Sequence, residues 1–217
     1  MRGDPLANLH HVLRWTRTVY TVADLADPFA FAAEGTPSCT AFHAVVNGNC
    51  YLDMSDGSPI ALKPGHFVLL PRGGKADHVS TPGAGQTGMN APRIEKVRDN
   101  LFLMRNGEGG DRTVIVSCAV QFEHPAAQRL VQLMAPVIHL EASHSEYADC
   151  ISRTLKLIST LAGDLGHGDD ILMMHLADAL LNKMIHTSIL RSPKVQSGWL
   201  AKIEDRQIGI AVGLMHD

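Results

Sequence analysis

The chain changes its hydrophobic rhythm partway along. In the first half, apolar residues alternate with polar ones or bunch into short runs that Gly, Pro, Asn and Asp interrupt; in the second half they recur every third or fourth position. The densest cluster of short runs spans residues 41–80, AFHAVVNGNCYLDMSDGSPIALKPGHFVLLPRGGKADHVS. Asn47-Gly48 and Asp56-Gly57 favour tight hairpins there, because both central turn residues need positive φ. A third run, residues 66–70, follows Pro64-Gly65 and stops at Pro71-Arg72-Gly73-Gly74. Short strands with regularly spaced turns predict a β-sandwich or barrel. His43 and His78 stand at opposite ends of this stretch, where barrel closure can bring them together.

Around this stretch the pattern is mixed. Asp4-Pro5 opens a predicted first helix with Leu6, Leu9, Val12 or Leu13 and Tyr20 on its apolar face. Residues 18–22, rich in β-branched side chains, read as strand, and Asp27-Pro28-Phe29 reads as a turn before the short run 29–33. Residues 82–110, with an apolar island at 101–104, read as a long loop over the barrel mouth. Val114, Val116, Cys118, Val120 and Phe122 then alternate along residues 112–122, which predicts a late barrel strand with Cys118 turned into the core.

The second half predicts helices over residues 126–134, 143–165 and from Asp169 or Asp170 to about 190. Tyr147, Ile151, Leu155, Ile158 and Leu161 share one helical face, and Leu172, Leu176, Leu180 and Met184 another. The last two helices form a hairpin whose apolar faces pack on the barrel or, in part, serve a dimer. The fold class is therefore α+β: a barrel with an N-terminal arm over residues 1–125, a helical region over 126–191, and a linker followed by the start of a further helix over 192–217.

Composition narrows the class. A length of 217 residues, 45% hydrophobic and 19% charged residues and a net charge of −3 fit a globular chain with no global basic bias toward nucleic acid or anionic membranes. No apolar run approaches the roughly 20 residues that span a bilayer, and the start of the chain has no apolar signal core. The four cysteines, Cys39, Cys50, Cys118 and Cys150, show no CxxC pair, so buried thiols and a cytoplasmic location are expected.

Gly65, five residues, then Pro71-Arg72-Gly73 and His78 resemble the second motif of the cupin fold, with the histidine two residues later than usual. In the first motif His43 is present, Val45 stands where a second histidine belongs, and the glutamate is missing. The resemblance implies a cupin-like double-stranded β-barrel, or jelly roll, whose usual four-ligand metal site is not intact.

The tail gives a second resemblance. Trp199-Leu200, then Asp205, Ile208-Gly209, Ala211 and Leu214-Met215-His216, are similar to the segment that leads into the DNA-binding domain of AraC/XylS-type transcription regulators. Asp4-Pro5-Leu6, Phe42-His43-Ala44-Val45, Leu69-Leu70-Pro71 and Phe122-Glu123-His124-Pro125 resemble the cupin-type sensor half of one AraC subgroup. The resemblance implies the effector-sensing and dimerisation half of such a regulator, with homodimerisation through the helices of residues 143–190. The helix-turn-helix motifs that enter successive major grooves lie beyond this sequence, so operator DNA is expected as a partner only through that missing C-terminal domain.

Three residues are candidates for one site in the barrel: His43, His78 and Cys118. As a set they suit zinc, which imidazole and thiolate ligate well. Equally, the histidines can hydrogen-bond backbone carbonyls while Cys118 packs as a small hydrophobe. Asp77 is a turn residue or a fourth ligand; Cys39 approaches the same site or is a partly buried thiol. Arg72 and Arg93 could meet an anion but read as solvated loop charges. His124 reads as a turn or the start of a helix, while His10, His11, His139 and His144 read as surface residues of helices or linkers. The expected function is a sensor that takes a small-molecule effector in the barrel and is not itself an enzyme. The alternatives are a metal-dependent cupin enzyme of dioxygenase or isomerase type, and a dimerisation module that has lost its ligand.

Overall fold

The computed structural model describes residues 13–33, 39–54, 58–74, 76–82, 92–107, 109–141, 148–163 and 168–191. Eleven strands and three helices follow in these segments: β1 (Trp15–Ala26), β2 (Ala30–Ala33), β3 (Thr40–Asn47), β4 (Cys50–Met54), β5 (Ile60–Leu62), β6 (His66–Leu70), β7 (Ala76–Val79), β8 (Arg93–Arg98), β9 (Leu101–Asn106), β10 (Arg112–Phe122), α1 (Pro125–Leu133), β11 (Ile138–Glu141), α2 (Ala148–Gly163) and α3 (Asp169–Arg191).

The strands form two sheets. The seven-stranded sheet runs β11-β6-β3-β10-β1-β9-β8, and the four-stranded sheet runs β2-β7-β4-β5. All neighbours are antiparallel except β1 and β9, which run parallel with Tyr20 opposite Leu101. Each sheet turns one face inward, onto a core that includes Leu25, Phe29, Val45, Leu52, Leu62, Val68, Leu70 and Ile115. The opposite face of the large sheet is covered too. Tyr20, Val22, Phe42, Phe67, Leu69, Leu103, Val116, Cys118 and Val120 pack there with Leu130 of α1, Leu155 and Ile158 of α2, and Leu181 and Ile185 of α3. A sheet buried on both faces loses its polar alternation, and the first six residues of β3, Thr40 to Val45, are all buried. The helical pair therefore packs on the outside of the barrel, α2 through Ile151, Leu155 and Ile158 as its periodicity predicted, and α3 through Met173, Ala177, Leu180, Leu181 and Met184, with Leu172 of the expected face left exposed.

Several expectations are revised. Tyr20 belongs to β1, not to a helix, and the strand expected over residues 18–22 extends to 15–26; the predicted helix before it, residues 4–12, lies outside the described residues. Asn47-Gly48 joins strands of different sheets and is a barrel corner rather than a hairpin. Gly48 has φ +71°, and a Cβ there would sit 2.4 Å from the Arg112 carbonyl oxygen, so the corner needs glycine. The loop expected over 82–110 contains the β8–β9 hairpin. Its β9 alternates, with Leu101 and Leu103 buried, while β8 is a charged and mostly exposed edge strand that carries no hydrophobic period. His139 lies in β11, paired with β6, where its Nε2 is 3.0 Å from His66 Nδ1.

Helix α1 begins as read. Pro125 occupies its first turn, and His124 Nδ1 accepts a hydrogen bond from the Ala126 amide at 3.0 Å. The two long helices are pinned to the barrel at the β8–β9 hairpin. Arg98 pairs with Asp170 in the first turn of α3, and Arg105 donates to the Ala162 carbonyl near the end of α2 at 3.0 Å. Residues 192–217, read as linker and tail, lie outside the described residues.

Candidate functional site

Barrel closure brings His43 and His78 together. His43 stands on β3 between Ala41 and Val45, whose side chains point into the barrel, and faces the same way. His78 stands on β7, opposite Phe31 of β2 and Leu52 of β4. The two imidazoles, one from each sheet, meet edge to face with centroids 4.6 Å apart. Phe31 stacks on the other face of His78 at 4.7 Å, with 4° between the ring planes. Both rings are buried, at 4% and 0% exposure.

Their polar atoms are treated unequally. His43 Nδ1 lies 2.9 Å from Ser117 Oγ on the neighbouring β10. His43 Nε2 and both ring nitrogens of His78 have no hydrogen-bond partner among the described residues. Burial holds the His43 imidazole down at about 4, against an ordinary 6.5. Burial, and then the neighbouring His43, hold His78 well below the ordinary value. Both rings are neutral at physiological pH.

Beside the pair lies a cavity of about 190 Å³ walled by Val19 and Thr21 of β1, Phe31, Cys39, Ala41 and His43, Met104 of β9, and Ser117 and Ala119 of β10, with Gly73 and Gly74 at its rim. Among the described residues, no charged side chain lines it. It is wide because the inward positions of β10 are small, Ser117 and Ala119, where the outward ones are Val116 and Val120.

Cys118 is not brought to the histidines. It borders the cavity only through its place on β10, and its thiol is buried among Tyr20, Phe42 and Val116 on the helix-covered face. Desolvation, with the Asp178 carboxylate adding to it, pushes that thiol far above its ordinary value. The apolar alternation of β10 was read correctly, but it marks the face under the helices; Ser117 holds the inward position instead. Asp77 alternates with His78 on β7, so it faces away from the pair rather than toward a fourth-ligand position. Among the described residues no group of three or more His, Cys, Asp or Glu side chains is placed to hold a metal ion. Two imidazoles without a third protein donor do not fit the three or four ligands of a protein zinc site. Of the remaining thiols, Cys50 is buried and Cys150 is exposed, so the expectation of burial holds for only part of the set.

Ser117, Ala119 and Met104 are the site residues the sequence reading missed. The run of small residues at inward positions of β10 is the signal that could have found them, given the correct face.

A barrel of this kind, with a helical pair on the outer face of its larger sheet, defines a cupin, and comparison with known proteins agrees. A family model described as Cupin matches residues 4–189, and the chain belongs to that family. Two curated relatives, from Streptomyces antibioticus and Streptomyces lividans, are both named "Putative AraC-like transcription regulator". Each is 25% identical to this chain, over 214 and 215 residues; both alignments take in 98% of this chain, and 69% and 68% of the relatives. The resemblance to AraC-type regulators read from the sequence agrees with the names of these two relatives. Among solved structures it is similar to unsaturated fatty acid-bound ToxT from Vibrio cholerae, at 11% identity and a TM-score of 0.40, over 82% of this chain and 57% of that one. This chain thus spans little more than half the length of the ToxT structure. No described helix is long and apolar enough to cross a membrane.

Proposed function

We propose that this domain binds a small organic effector in the barrel cavity and passes the binding event to its helical pair, which sets how two regulator subunits present their DNA-binding parts. One observation carries this reading: the strands that wall the cavity also hold the helices, residue by residue. On β1, Val19 and Thr21 line the cavity while Tyr20 between them donates a 2.6 Å hydrogen bond to Asp178 of α3. On β9, Met104 lines the cavity and Arg105 beside it holds α2. A strand that shifts to accommodate a ligand must disturb these contacts. Ligand binding then favours one helix arrangement by the difference in its affinity for the two.

The partner of the helices is a second copy. Leu157 of α2 and Ile171, Leu172 and Leu190 of α3 are exposed apolar residues on the side away from the barrel core. Operator DNA is contacted through the C-terminal part of such regulators, and the protein works in the cytoplasm, where its operator is. Relatives named as regulators along 98% of this chain favour a sensor over a cupin enzyme.

The test is a thermal-shift screen of small organic compounds against the domain, followed by a transcription reporter for the whole regulator carrying Tyr20→Phe. The reading expects a hit that binds the variant within about twofold of the parent, with a response to it that is blunted or made constitutive. An unchanged response would sink the coupling. Stoichiometric zinc in protein purified without chelator, lost in the His43→Ala, His78→Ala double variant, would replace an organic effector with a metal.

A further inference from the structure

We propose that His66 Nδ1 and His139 Nε2 form a surface site for a divalent transition-metal ion of square or tetragonal preference, best met by Cu(II), at the β6–β11 edge of the large sheet. The site is separate from the barrel cavity, and the proposal does not rest on the sensor reading. Three observations lead to it.

Placement comes first. In the antiparallel β6–β11 pair, His139 stands opposite Val68 and Glu141 opposite His66. The two histidines are therefore diagonal neighbours on one face, within reach of ring side chains. That face is the barrel side, since Phe67, Leu69 and Leu140, which alternate with them, pack under the helices. At this edge His139 is exposed and His66 half-buried, so an ion in solvent can reach the pair, unlike the buried His43 and His78.

Distance comes second. His139 Nε2 and His66 Nδ1 lie 3.0 Å apart, with the ring centroids at 5.0 Å and 47° between the planes. Two imidazole nitrogens held about 2.0–2.1 Å from one ion are about 2.9 Å apart at a right angle and about 3.4 Å apart at the tetrahedral angle. The observed spacing matches the right angle. Adjacent positions of a square or tetragonal ion meet at that angle, the geometry of Cu(II) and Ni(II), and Cu(II) heads the affinity order of the first-row divalent ions. With two protein donors the ion keeps water at its other positions, which a surface site permits and a closed zinc site does not.

Charge comes third. The facing nitrogens form an N–H···N hydrogen bond, one donating and the other accepting. Burial, and then His66, hold His139 below its ordinary value, with Glu141 pulling the other way, so a proton competes weakly with an ion at pH 7.5. From two neutral rings, coordination needs only that the donor ring carry its proton on its other nitrogen, with no net proton released. Glu141, opposite His66 on the same face, adds negative charge beside the cation. Strand β11 lies between α1 and α2 in the chain, and its one sheet neighbour among the described residues is β6. An ion across the pair therefore fastens the strand that connects the helices.

The test is titration of the whole chain with copper(II) chloride at pH 7.5, read by calorimetry and electron paramagnetic resonance. The chain carries Cys39→Ser and Cys150→Ser, so that the two thiols that are not buried do not reduce the ion. One ion per chain with two equatorial imidazole nitrogens is expected, bound roughly tenfold or more tighter than Zn(II). His66→Gln and His139→Gln should each weaken copper by at least about tenfold. Copper should raise the urea midpoint of the parent and of neither variant. A single equatorial imidazole nitrogen, zinc bound as tightly as copper, or equal copper binding by the His66→Gln, His139→Gln double variant would overturn the site. The nitrogen count is read with both histidines in place, so it decides even where a variant fails to fold. A chain that takes up no copper would overturn the site too, while the thermal-shift screen would still decide the sensor reading.

Discussion

The two faces of the large sheet each bury a polar pair, and the pairs are handled in opposite ways. Under the helices, Tyr20 and Asp178 satisfy one another at 2.6 Å. Inside the barrel, His43 and His78 touch through their rings, yet three of their four ring nitrogens have no partner among the described residues. Folded proteins pair nearly all their buried polar atoms. The helix-side pair therefore behaves as a structural joint, whereas the barrel-side pair behaves as a surface prepared for something else. The pairs stand on different strands, Tyr20 on β1, His43 on β3 and His78 on β7, with β10 lying between β1 and β3 in the large sheet.

The contrast should be most visible in acid. Burial favours the neutral form of His43 and lowers its value from 6.5 to about 4, so the unfolded chain takes up a proton first. The stability this ring contributes is complete above its unfolded value and is lost as pH falls from there toward the folded one; His78 acts with the same sign. Between pH 7.5 and 4.5 the loss from His43 is about 2–3 kcal/mol. Urea unfolding at both pH values should show His43→Leu losing less than the parent by about that amount. Equal losses in the two proteins would show that the ring is hydrated or partnered in solution.

A smaller effect, of opposite meaning, is expected on the other face. Tyr20→Phe removes a donor and leaves Asp178 half-buried without it, at a cost of about 1–3 kcal/mol at pH 7.5. Because the Tyr20 bond lowers the Asp178 value that burial raises, the variant should also take up a proton on Asp178 at higher pH. A change within about 0.3 kcal/mol would mean that the joint is not formed.

The smallest effect sharpens the comparison most. His78→Leu deletes a ring whose nitrogens have no partner and sets an apolar side chain between Phe31 and Leu52. Loss of stacking and gain from removing unmet polar atoms should nearly cancel, to within about 1 kcal/mol. A loss of several kcal/mol in urea unfolding would show that His78 is a satisfied structural residue, and the difference between the two faces would vanish.

Much of the layout was legible in the sequence, and the failures have a common origin. The motif from Gly65 to His78 and the lone His43 of the first motif located the pair, because barrel closure joins the ends of residues 41–80. Helical periodicity located α1, α2 and α3 to within a few residues, since each helix has one face on the sheet. Elements without a one-sided pattern were missed. β8 is a charged edge strand, β11 is four residues long, and Tyr20 was counted on the apolar face of the first helix although its neighbours at 18–22 had been read as strand.

What the sequence determined by itself is periodicity and chemistry: strands and corners first, a helical pair after them, and two histidines poised at the ends of one barrel segment. Only the tertiary structure decided which face of each strand meets the cavity. Alternation states that Cys118 and Ser117 point in opposite directions, but on a sheet covered by a second sheet on one side and helices on the other, both directions are buried. The more apolar face of β10 went to the helices, and the smaller residues, Ser117 and Ala119, went to the barrel, where they leave volume unfilled beside His43.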